Sequence, residues 1–172
     1  VMKSPVKILA VGTGYSYSQD GPSHHSTEDL AIISSLPNIE FYSPSNSVFA
    51  EKLVPKLLKS KNPAYIRLDR DVLIYPDNKF KFNNDFVVHN AKKNNDLCTI
   101  ISTGVMTSKA LSLIKKFNKS IKIIDMIKLK PFNEKKVLNE IKHSKKIVVI
   151  EEHVSNGGLS GVIAQLIMQL KQ

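Results

Sequence analysis

Short apolar runs alternate with amphipathic segments along this chain, and that alternation limits the possible folds more than any other feature. Residues 97–102, 121–126 and 146–150 are of strand length and rich in Ile and Val, so each is predicted to be a β-strand. A segment with helical spacing of apolar residues follows each of them. The predicted helices are 107–117, 133–141 and 159–170. Three such strand–helix pairs predict an α/β fold with right-handed crossovers and a mainly parallel sheet.

The first part of the chain shows the same alternation. Residues 6–12 are mostly apolar and predict a buried strand, and a polar loop then leads to a helix capped by Ser26 or Thr27. A second helix is predicted to begin at Asn46 or Ser47, and strands are predicted over 39–42 and 64–68. The side chains expected to face the core from the two helices are Leu30, Ile32, Ile33, Leu36, Phe49, Leu53, Leu57 and Leu58.

A change of composition divides the chain into two units. Residues 71 to about 96 contain Pro76, several Asn and Lys residues and two short apolar patches in place of the alternation. We therefore predict a linker over 76–95. It would join an α/β unit of residues 1–75 to a three-layer α/β domain of residues 96–172.

Composition narrows the classes of function. Lys and Arg outnumber Asp and Glu by 25 to 15, a net charge of +10, but the lysines are scattered without a nucleic-acid-binding signature, so a solvated surface is expected. No apolar run approaches the ~18 residues that span a bilayer, and the N-terminus lacks a signal-like apolar stretch. We expect a cytoplasmic protein without nucleic-acid or membrane partners. The single cysteine, Cys98, lies in an apolar run and is expected to be a buried core residue.

The loop after the first predicted strand carries a dense group of reactive side chains. Ligands of parallel α/β sheets bind where loops leave the carboxyl ends of strands. The run Asp20-Gly21-Pro22-Ser23-His24-His25 places a carboxylate and two imidazoles beside a permissive glycine and a φ-fixing proline. Such a loop suits a hydroxylated substrate and proton transfer near neutral pH. A polar turn that caps the next helix is the alternative.

The same run begins a series of motifs that spans nearly the whole chain. Asp20-Gly21-Pro22-Ser23-His24, then Glu28-Asp29-Leu30-Ala31, then Leu36-Pro37-Asn38-Ile39, resembles the pattern of transketolases and deoxyxylulose-phosphate synthases. Further matching segments, in the expected order, are 63–70, 103–104, 130–132, 151–153 and 157–159. The resemblance implies that residues 1–75 are the C-terminal part of a pyrimidine-binding domain. It implies that residues 96–172 are the transketolase C-terminal domain.

The resemblance also implies an activity and roles for particular residues. Such enzymes use thiamine diphosphate and magnesium to transfer a two-carbon ketol unit between sugar phosphates. His24 would be the catalytic histidine that contacts substrate oxygens, and Asp20 would hydrogen-bond a substrate hydroxyl. Arg70 would bind the substrate phosphate, with Arg67 as its competitor. His25 stands where the family usually has glutamine, and it either contacts substrate or faces solvent.

This sequence departs from the family pattern at two places, which affect the expected phosphate site, cofactor site and partner subunit. Gly12 lies where transketolases carry a second phosphate-binding histidine. The GDG motif that binds diphosphate and metal is absent from this sequence, so cofactor-binding residues stay unassigned and no metal site is predicted, including at 151–153. We expect the chain to be inactive alone. It would work with an N-terminal cofactor-binding domain or subunit, within a longer chain or a split enzyme, as a homo-oligomer or heteromer.

Other interpretations of the sequence stay open. A fragment like deoxyxylulose-phosphate synthase is favoured slightly by Gly12, whereas the Gly-Pro-Ser-His element counts against the β-subunit of a 2-oxo acid dehydrogenase. A non-catalytic assembly or regulatory module is the alternative from another class, although a scaffold gains nothing from Asp20 and His24. Residues 102–104 are predicted to form a tight strand-to-helix turn rather than an anion site.

Overall fold

A computed structural model of the protein describes residues 4–70, 85–89, 98–117 and 121–169. The strands are β1 (Lys7–Val11), β2 (Glu40–Tyr42), β3 (Ala64–Leu68), β4 (Phe86–His89), β5 (Cys98–Ser102), β6 (Ile121–Met126), β7 (Lys128–Lys130) and β8 (Ile147–Ile150). The helices are α1 (Asp29–Ser35), α2 (Ser47–Lys59), α3 (Val105–Phe117), α4 (Glu134–Ile141) and α5 (Leu159–Gln169). The predicted α/β class is confirmed. We call residues 4–70 the first half and residues 85–169 the second half.

The first sheet places two chain segments side by side. Its strand order is β1-β3-β2-β7, and the first three strands are parallel. Val11 at the end of β1 lies opposite Leu68 at the end of β3. Just beyond both strands, the backbone N–H of Gly12 donates to the carbonyl of Leu68 at 3.1 Å. The loop after β1 and the residues after β3 therefore leave the sheet at the same edge.

The second sheet is mainly parallel, as predicted. Its order is β4-β6-β5-β8, in which β5 is parallel to β6 and β8 while β4 is antiparallel to β6. Ile101 of β5 and Ile124 of β6 are fully buried and share a core cluster with Leu159 and Ile163 of α5. Burial of such side chains at about 25 cal/mol per Å² is the main term that holds this half together.

Asparagine side chains begin two of the helices. The side chain of Asn46 accepts from the backbone N–H of Phe49 at 2.8 Å, and that of Asn133 accepts from Lys136 at 3.0 Å. Each bond satisfies one of the first-turn N–H groups that a helix leaves without an internal partner. Pro55 lies inside α2, which continues through it to Lys59.

Two short strands were not predicted from the sequence. β4 falls inside the segment expected to be a linker and pairs with β6. β7 follows β6 after Ile127 and pairs with β2, so the second half contributes a strand to the first sheet. The Lys-Leu-Lys sequence of β7 has no apolar run, and the short apolar run of β4 lies among Asn and Lys residues that predict a linker.

A buried carboxylate also joins the two halves. Asp125 of β6 is fully buried; it accepts a hydrogen bond from Thr107 at 2.9 Å and another from Ser45, which precedes α2. The Nε2 atom of His89 on β4 lies 3.8 Å from the same carboxylate. Leaving such a group without partners would cost about 1–3 kcal/mol or more, so the network favours one packing of the halves.

The burial predicted for β1 was wrong. Ile8, Leu9 and Val11 are 46%, 64% and 60% exposed. Neighbouring residues of a strand point to opposite faces, so both faces of β1 are open among the described residues. Among the described residues, β1 is the edge strand of the first sheet and pairs with β3 alone, so it has fewer neighbouring elements to cover its side chains.

Three helix residues predicted to face the core are exposed instead. Ile32, Leu36 and Leu58 are 59%, 44% and 79% exposed, whereas Leu30 and Leu53 are buried. Ile32 and Leu58 are each adjacent in sequence to a residue that packs inward. Because successive side chains on a helix point about 100° apart, only one of two adjacent apolar residues can point directly at the core.

Cys98 and the helix lengths bear on two expectations drawn from the composition. Cys98 is partly buried at the start of β5, less deeply than predicted, and burial raises the pKa of its thiol. The reactive thiolate is therefore disfavoured at neutral pH. Within the described ranges, no helix has both the length and the apolar character needed to cross a lipid bilayer.

We expect Leu53→Ala and Leu58→Ala to differ strongly in their effect on stability. Leu53 is 1% exposed, so its truncation should lower the free energy of unfolding by about 2–5 kcal/mol through lost burial and a cavity. Leu58→Ala, the matched control on the same helix, should change it by less than about 0.5 kcal/mol. Urea unfolding measures both values. Equal losses would contradict the surface position of Leu58.

Candidate functional site

The loop between β1 and α1 is closed at its base. Gly14 and Ser26 exchange two backbone hydrogen bonds of 3.0 and 2.9 Å, and we call residues 14–26 the site loop. Gly21 has a φ of 86°, a left-handed conformation that glycine adopts without strain. The site loop contains two short 3-10 turns, Ser18–Asp20 and Pro22–His24.

The site loop holds three of the residues predicted to contact substrate. Asp20 and His24 are exposed, and the Nδ1 atom of His24 lies 3.0 Å from the hydroxyl of Ser23. His25 is partly buried, with its ring packed edge-on against Tyr15 at 4.9 Å between ring centroids. Its Nε2 atom is buried and has no hydrogen-bond partner among the described residues. Asp20 and His24 are thus open to a ligand, whereas His25 is held against the loop.

Arg70, the fourth predicted residue, reaches the site loop through Tyr17. The guanidinium carbon of Arg70 lies 5.1 Å from the centre of the Tyr17 ring, within cation–π range. The same ring packs against Gly12, where an added Cβ would overlap it, and Gly12 has a φ of 91°. Position 12, where the resemblance implies a histidine in transketolases, therefore has no room for a side chain in this protein.

Arg67 and Arg70 differ in burial. Arg67 is 3% exposed; its Nε atom donates to the carboxylate of Asp29 at 2.8 Å and its Nη2 atom to the carbonyl of Glu152 at 3.2 Å. A buried guanidinium with these partners serves the fold. Arg70, by contrast, is exposed at the end of β3 and is accessible to a ligand.

A carboxyl group from the first half caps helix α3. Asp69 accepts a hydrogen bond from the backbone N–H of Val105 at 2.7 Å and another from the hydroxyl of Thr13. Burial raises the pKa of Asp69, although both hydrogen bonds act in the opposite direction. Gly104 allows the approach, because an added Cβ would lie 2.8 Å from the Asp69 carboxylate. The strand-to-helix turn at this point is a tight packing junction, as predicted.

The acidic run at 151–153 is used for packing between elements. Glu151 accepts from two backbone N–H groups at the start of α5, at 2.6 and 2.9 Å. Glu152 pairs with Lys109 at 2.9 Å, and the Nε2 atom of His153 accepts from the N–H of Ala31 at 3.3 Å. Within the part of the chain that the structure describes, no group of three potential metal ligands occurs.

Two family sequence models match this chain in succession. The transketolase pyrimidine-binding domain matches residues 1–74, and the transketolase C-terminal domain matches residues 88–172. The chain belongs to the transketolase family. Its first half carries most of the first sheet and corresponds to the pyrimidine-binding match, and its second half corresponds to the C-terminal match.

Relatives within the transketolase family differ in how much of their length the chain covers. Human transketolase is 30% identical over 98% of this chain and 28% of its own length. A Methanocaldococcus jannaschii protein named as a transketolase C-terminal section is 31% identical over 96% of this chain and 52% of its own length. One subunit of an apulose-4-phosphate transketolase from Phocaeicola vulgatus is 27% identical, with 95% and 54% covered. The chain thus spans about half the length of the two shorter relatives.

Solved transketolase structures share the fold. A structure titled split gene transketolase, inactive beta4 tetramer, superposes with a TM-score of 0.76 at 29% identity, covering 95% of this chain and 53% of that one. Transketolase from Campylobacter jejuni superposes with a TM-score of 0.66, covering 93% of this chain and 29% of that one. At 17% identity, the second likeness concerns the fold alone.

Three residues near the site, Thr13, Asp69 and Lys109, were not predicted from the sequence. Thr13 and Asp69 each follow a predicted strand, and the carboxyl ends of adjacent parallel strands lie side by side. The sequence pattern could therefore have predicted that these two residues are close together. Lys109 lies on α3, and its contact with Glu152 depends on how α3 packs beside the following strands. No local feature of the sequence indicates that contact.

We expect Gly12→Ala to destabilise the protein by about 1–3 kcal/mol, because its positive φ and the Tyr17 ring both oppose a side chain. Gly161→Ala is the matched control. An added Cβ at Gly161 meets open space, and alanine favours a helix by up to about 1 kcal/mol, so this variant should be equally or more stable. Thermal unfolding compares them. A Gly12→Ala protein as stable as the parent would contradict the contact with Tyr17.

Proposed function

We propose that this chain supplies the substrate side of a transketolase-type active site that transfers a two-carbon ketol unit between sugar phosphates. The observation that carries the proposal is the site loop, which presents exposed Asp20 and His24 at the carboxyl edge of a parallel sheet beside Arg70. A carboxylate, an imidazole and a guanidinium at one edge suit a ligand with several hydroxyls and a phosphate.

His24 and Asp20 would contact the substrate near the reacting carbons. The Nδ1 atom of His24 is engaged with Ser23, which leaves Nε2 to meet a substrate oxygen. An imidazole can donate or accept a proton near neutral pH, and so it can follow a change of charge on that oxygen. Asp20 would accept a hydrogen bond from a neighbouring substrate hydroxyl and so fix the orientation of the sugar.

Arg70 would bind the phosphate end of the sugar. Its guanidinium lies over the ring of Tyr17, so the ring can restrain one face while the N–H edge stays open to solvent. That edge matches phosphate oxygens in pairs, which a lysine ammonium does not. Arg67 is less suited to this task, because it is buried and its guanidinium already pairs with Asp29 and the carbonyl of Glu152.

The cofactor would be held mainly by another part of the enzyme. Thiamine diphosphate supplies the nucleophilic carbon in this class of transfer, and the match to a pyrimidine-binding domain supports that dependence. The sequence has no GDG motif, and the described residues contain no group of three metal ligands. We therefore assign magnesium and the diphosphate to a separate domain or subunit.

We also propose that the chain works inside a larger assembly that covers β1. A strand with apolar residues on both faces is typical of a sheet interior, yet those of β1 are exposed. The outer edge of β1 also has no strand beside it in the part of the chain that the structure describes, and such an edge is a place where another chain segment pairs. The names of two relatives, one a subunit of its enzyme and the other a split gene product, support a divided enzyme. The latter's title describes an inactive tetramer, in keeping with a chain that is inactive alone.

His24→Ala should greatly slow ketol transfer while leaving assembly unchanged. The loss follows because an alanine cannot hydrogen-bond a substrate oxygen, and a reduction of about 10²–10⁴-fold in kcat/KM is expected. The assay combines the chain with its cofactor-binding part, fructose 6-phosphate as donor and ribose 5-phosphate as acceptor. Gel filtration reports assembly.

His143→Ala is the control for this experiment. His143 is exposed beyond α4 and belongs to the second half, so its loss should leave turnover unchanged. If His24→Ala also leaves turnover unchanged, the catalytic role is wrong and a non-catalytic assembly module becomes the better interpretation.

Arg70→Ala should raise the KM for the phosphorylated donor about tenfold or more and weaken the response to added salt. The reason is the lost charge-assisted contact with phosphate. Lys61→Ala removes one exposed positive charge at a position outside the site loop and β3, and it should not change KM. Steady-state kinetics with a phosphorylated and with an unphosphorylated donor shows whether the rise in KM depends on the donor phosphate. An unchanged KM in Arg70→Ala would overturn the assignment.

A synthase that uses pyruvate as donor is the second candidate, and the observation that favours it is Gly12. The position of the family's second phosphate-binding histidine is filled by the Tyr17 ring, so a donor phosphate would lose one partner. Product analysis with pyruvate or a ketose phosphate as donor distinguishes the two reactions. A deoxy sugar phosphate formed from pyruvate would favour the synthase.

A further inference from the structure

We propose that Glu152, in the second half, is a positioning residue that fixes the site loop for substrate. The inference deepens the proposed function and rests on it, because the loop matters for catalysis only if Asp20 and His24 contact the sugar. The second half would then act on the substrate through the loop, without touching the substrate itself.

The Glu152 carboxylate bridges the site loop and helix α3. Its Oε2 atom accepts a hydrogen bond from the backbone N–H of Tyr15 at 3.2 Å, and its Oε1 atom lies 2.9 Å from the ammonium of Lys109. The side chain of Glu152 is 14% exposed, whereas that of Lys109 is 57% exposed. Glu152 is therefore the more fixed partner, and Lys109 balances its charge from the solvent side.

The start of the loop is shaped to receive this carboxylate. Gly14 has a φ of 55°, and an added Cβ there would overlap the Glu152 side chain. A glycine at position 14 thus allows both the left-handed turn and the close approach of the carboxylate. The next residue, Tyr15, donates the hydrogen bond and also packs on His25 inside the loop.

The residues beside Glu152 hold the other end of the loop. The N–H of Val154 donates to the carbonyl of Thr27 at 2.9 Å, directly after the loop closes at Ser26. His153 accepts from the N–H of Ala31 in the first turns of α1. One short segment of the second half, 152–154, therefore contacts both ends of the site loop.

The backbone of Glu152 is itself anchored. Its carbonyl accepts from the buried Arg67, which pairs with Asp29 at the start of α1. A carboxylate carried on an anchored backbone can impose a fixed position on a loop, since the loop rather than the anchor adjusts.

Between the two ends of the loop, the backbone hydrogen bonds described are local. The N–H groups of residues 16, 18, 20, 21, 24 and 25 donate to carbonyls three residues earlier, at positions 13 to 22. Such bonds set the shape of each turn. The position of the turns relative to the sheet depends on how the loop ends are held, and Tyr15 lies at one of those ends. Loss of the Glu152 contact should therefore shift or loosen Asp20 and His24 together.

The test compares three variants of the enzyme reconstituted with its cofactor-binding part, using fructose 6-phosphate and ribose 5-phosphate. Glu152→Ala removes the acceptor and should lower kcat/KM about tenfold or more, mainly through KM for the sugar. Glu152→Gln keeps an acceptor for Tyr15 and should restore most of that loss. Lys109→Met removes the exposed charge and should remain close to the parent.

Hydrogen exchange gives a readout that does not depend on activity. In Glu152→Ala, amides of residues 15–26 should exchange faster, while those of α3 and the melting temperature should stay as in the parent. Unchanged exchange in the site loop, or a Gln variant as impaired as the Ala variant, would overturn the proposal.

The two proposals fail in different ways. If the reconstituted parent enzyme transfers no ketol unit, or if His24→Ala is fully active, the proposed function is wrong, and exchange in the site loop still decides whether Glu152 positions it. If His24→Ala is inactive but Glu152→Ala matches the parent in kinetics and exchange, the function stands and the positioning role is wrong.

Discussion

The buried ion pair between Arg67 and Asp29 connects the parts of this protein on which the site depends. Arg67 lies on a central strand of the first sheet, Asp29 begins the helix that follows the site loop, and the carbonyl of Glu152 in the second half takes a further guanidinium donor. A buried charge pair is tolerated only when its remaining hydrogen-bonding groups are satisfied. Here the ion pair and its further hydrogen bond connect β3, α1 and the second half. Both halves therefore determine the shape of the sheet edge where ligands would bind.

The fold could be predicted from the sequence wherever an element has an apolar run, an apolar period or a helix cap of its own. The strands at 98–102 and 121–126 and the helices capped by Asn46 and Asn133 were predicted because their signals are local. The strand at 128–130 was missed because its sequence, Lys-Leu-Lys, has a single apolar residue between two charged ones. The exposure of β1 was missed for a different reason. An apolar run predicts that a strand is buried, but it does not identify the chain segment that covers the strand.

In the candidate site, too, some groupings of residues could be predicted from the sequence and others could not. Asp20, His24 and His25 share a loop in the sequence and share one in the structure, so their grouping was available from the motif. The contact between Tyr17 and Gly12 depends on how the loop folds back on itself, and that between Glu152 and Tyr15 joins residues far apart in the sequence. Contacts of this kind are set by packing, which residue type and spacing do not encode locally.

The position of β7 in the chain determines when the first sheet can be completed during synthesis. It completes the first sheet by pairing with β2, yet it lies beyond most of the second sheet in the chain. Closing so long a loop carries an entropic cost before the pairing is gained, and non-local pairings of this type slow folding. On the ribosome, the first half must therefore wait with an open edge at β2 until residues 128–130 have emerged.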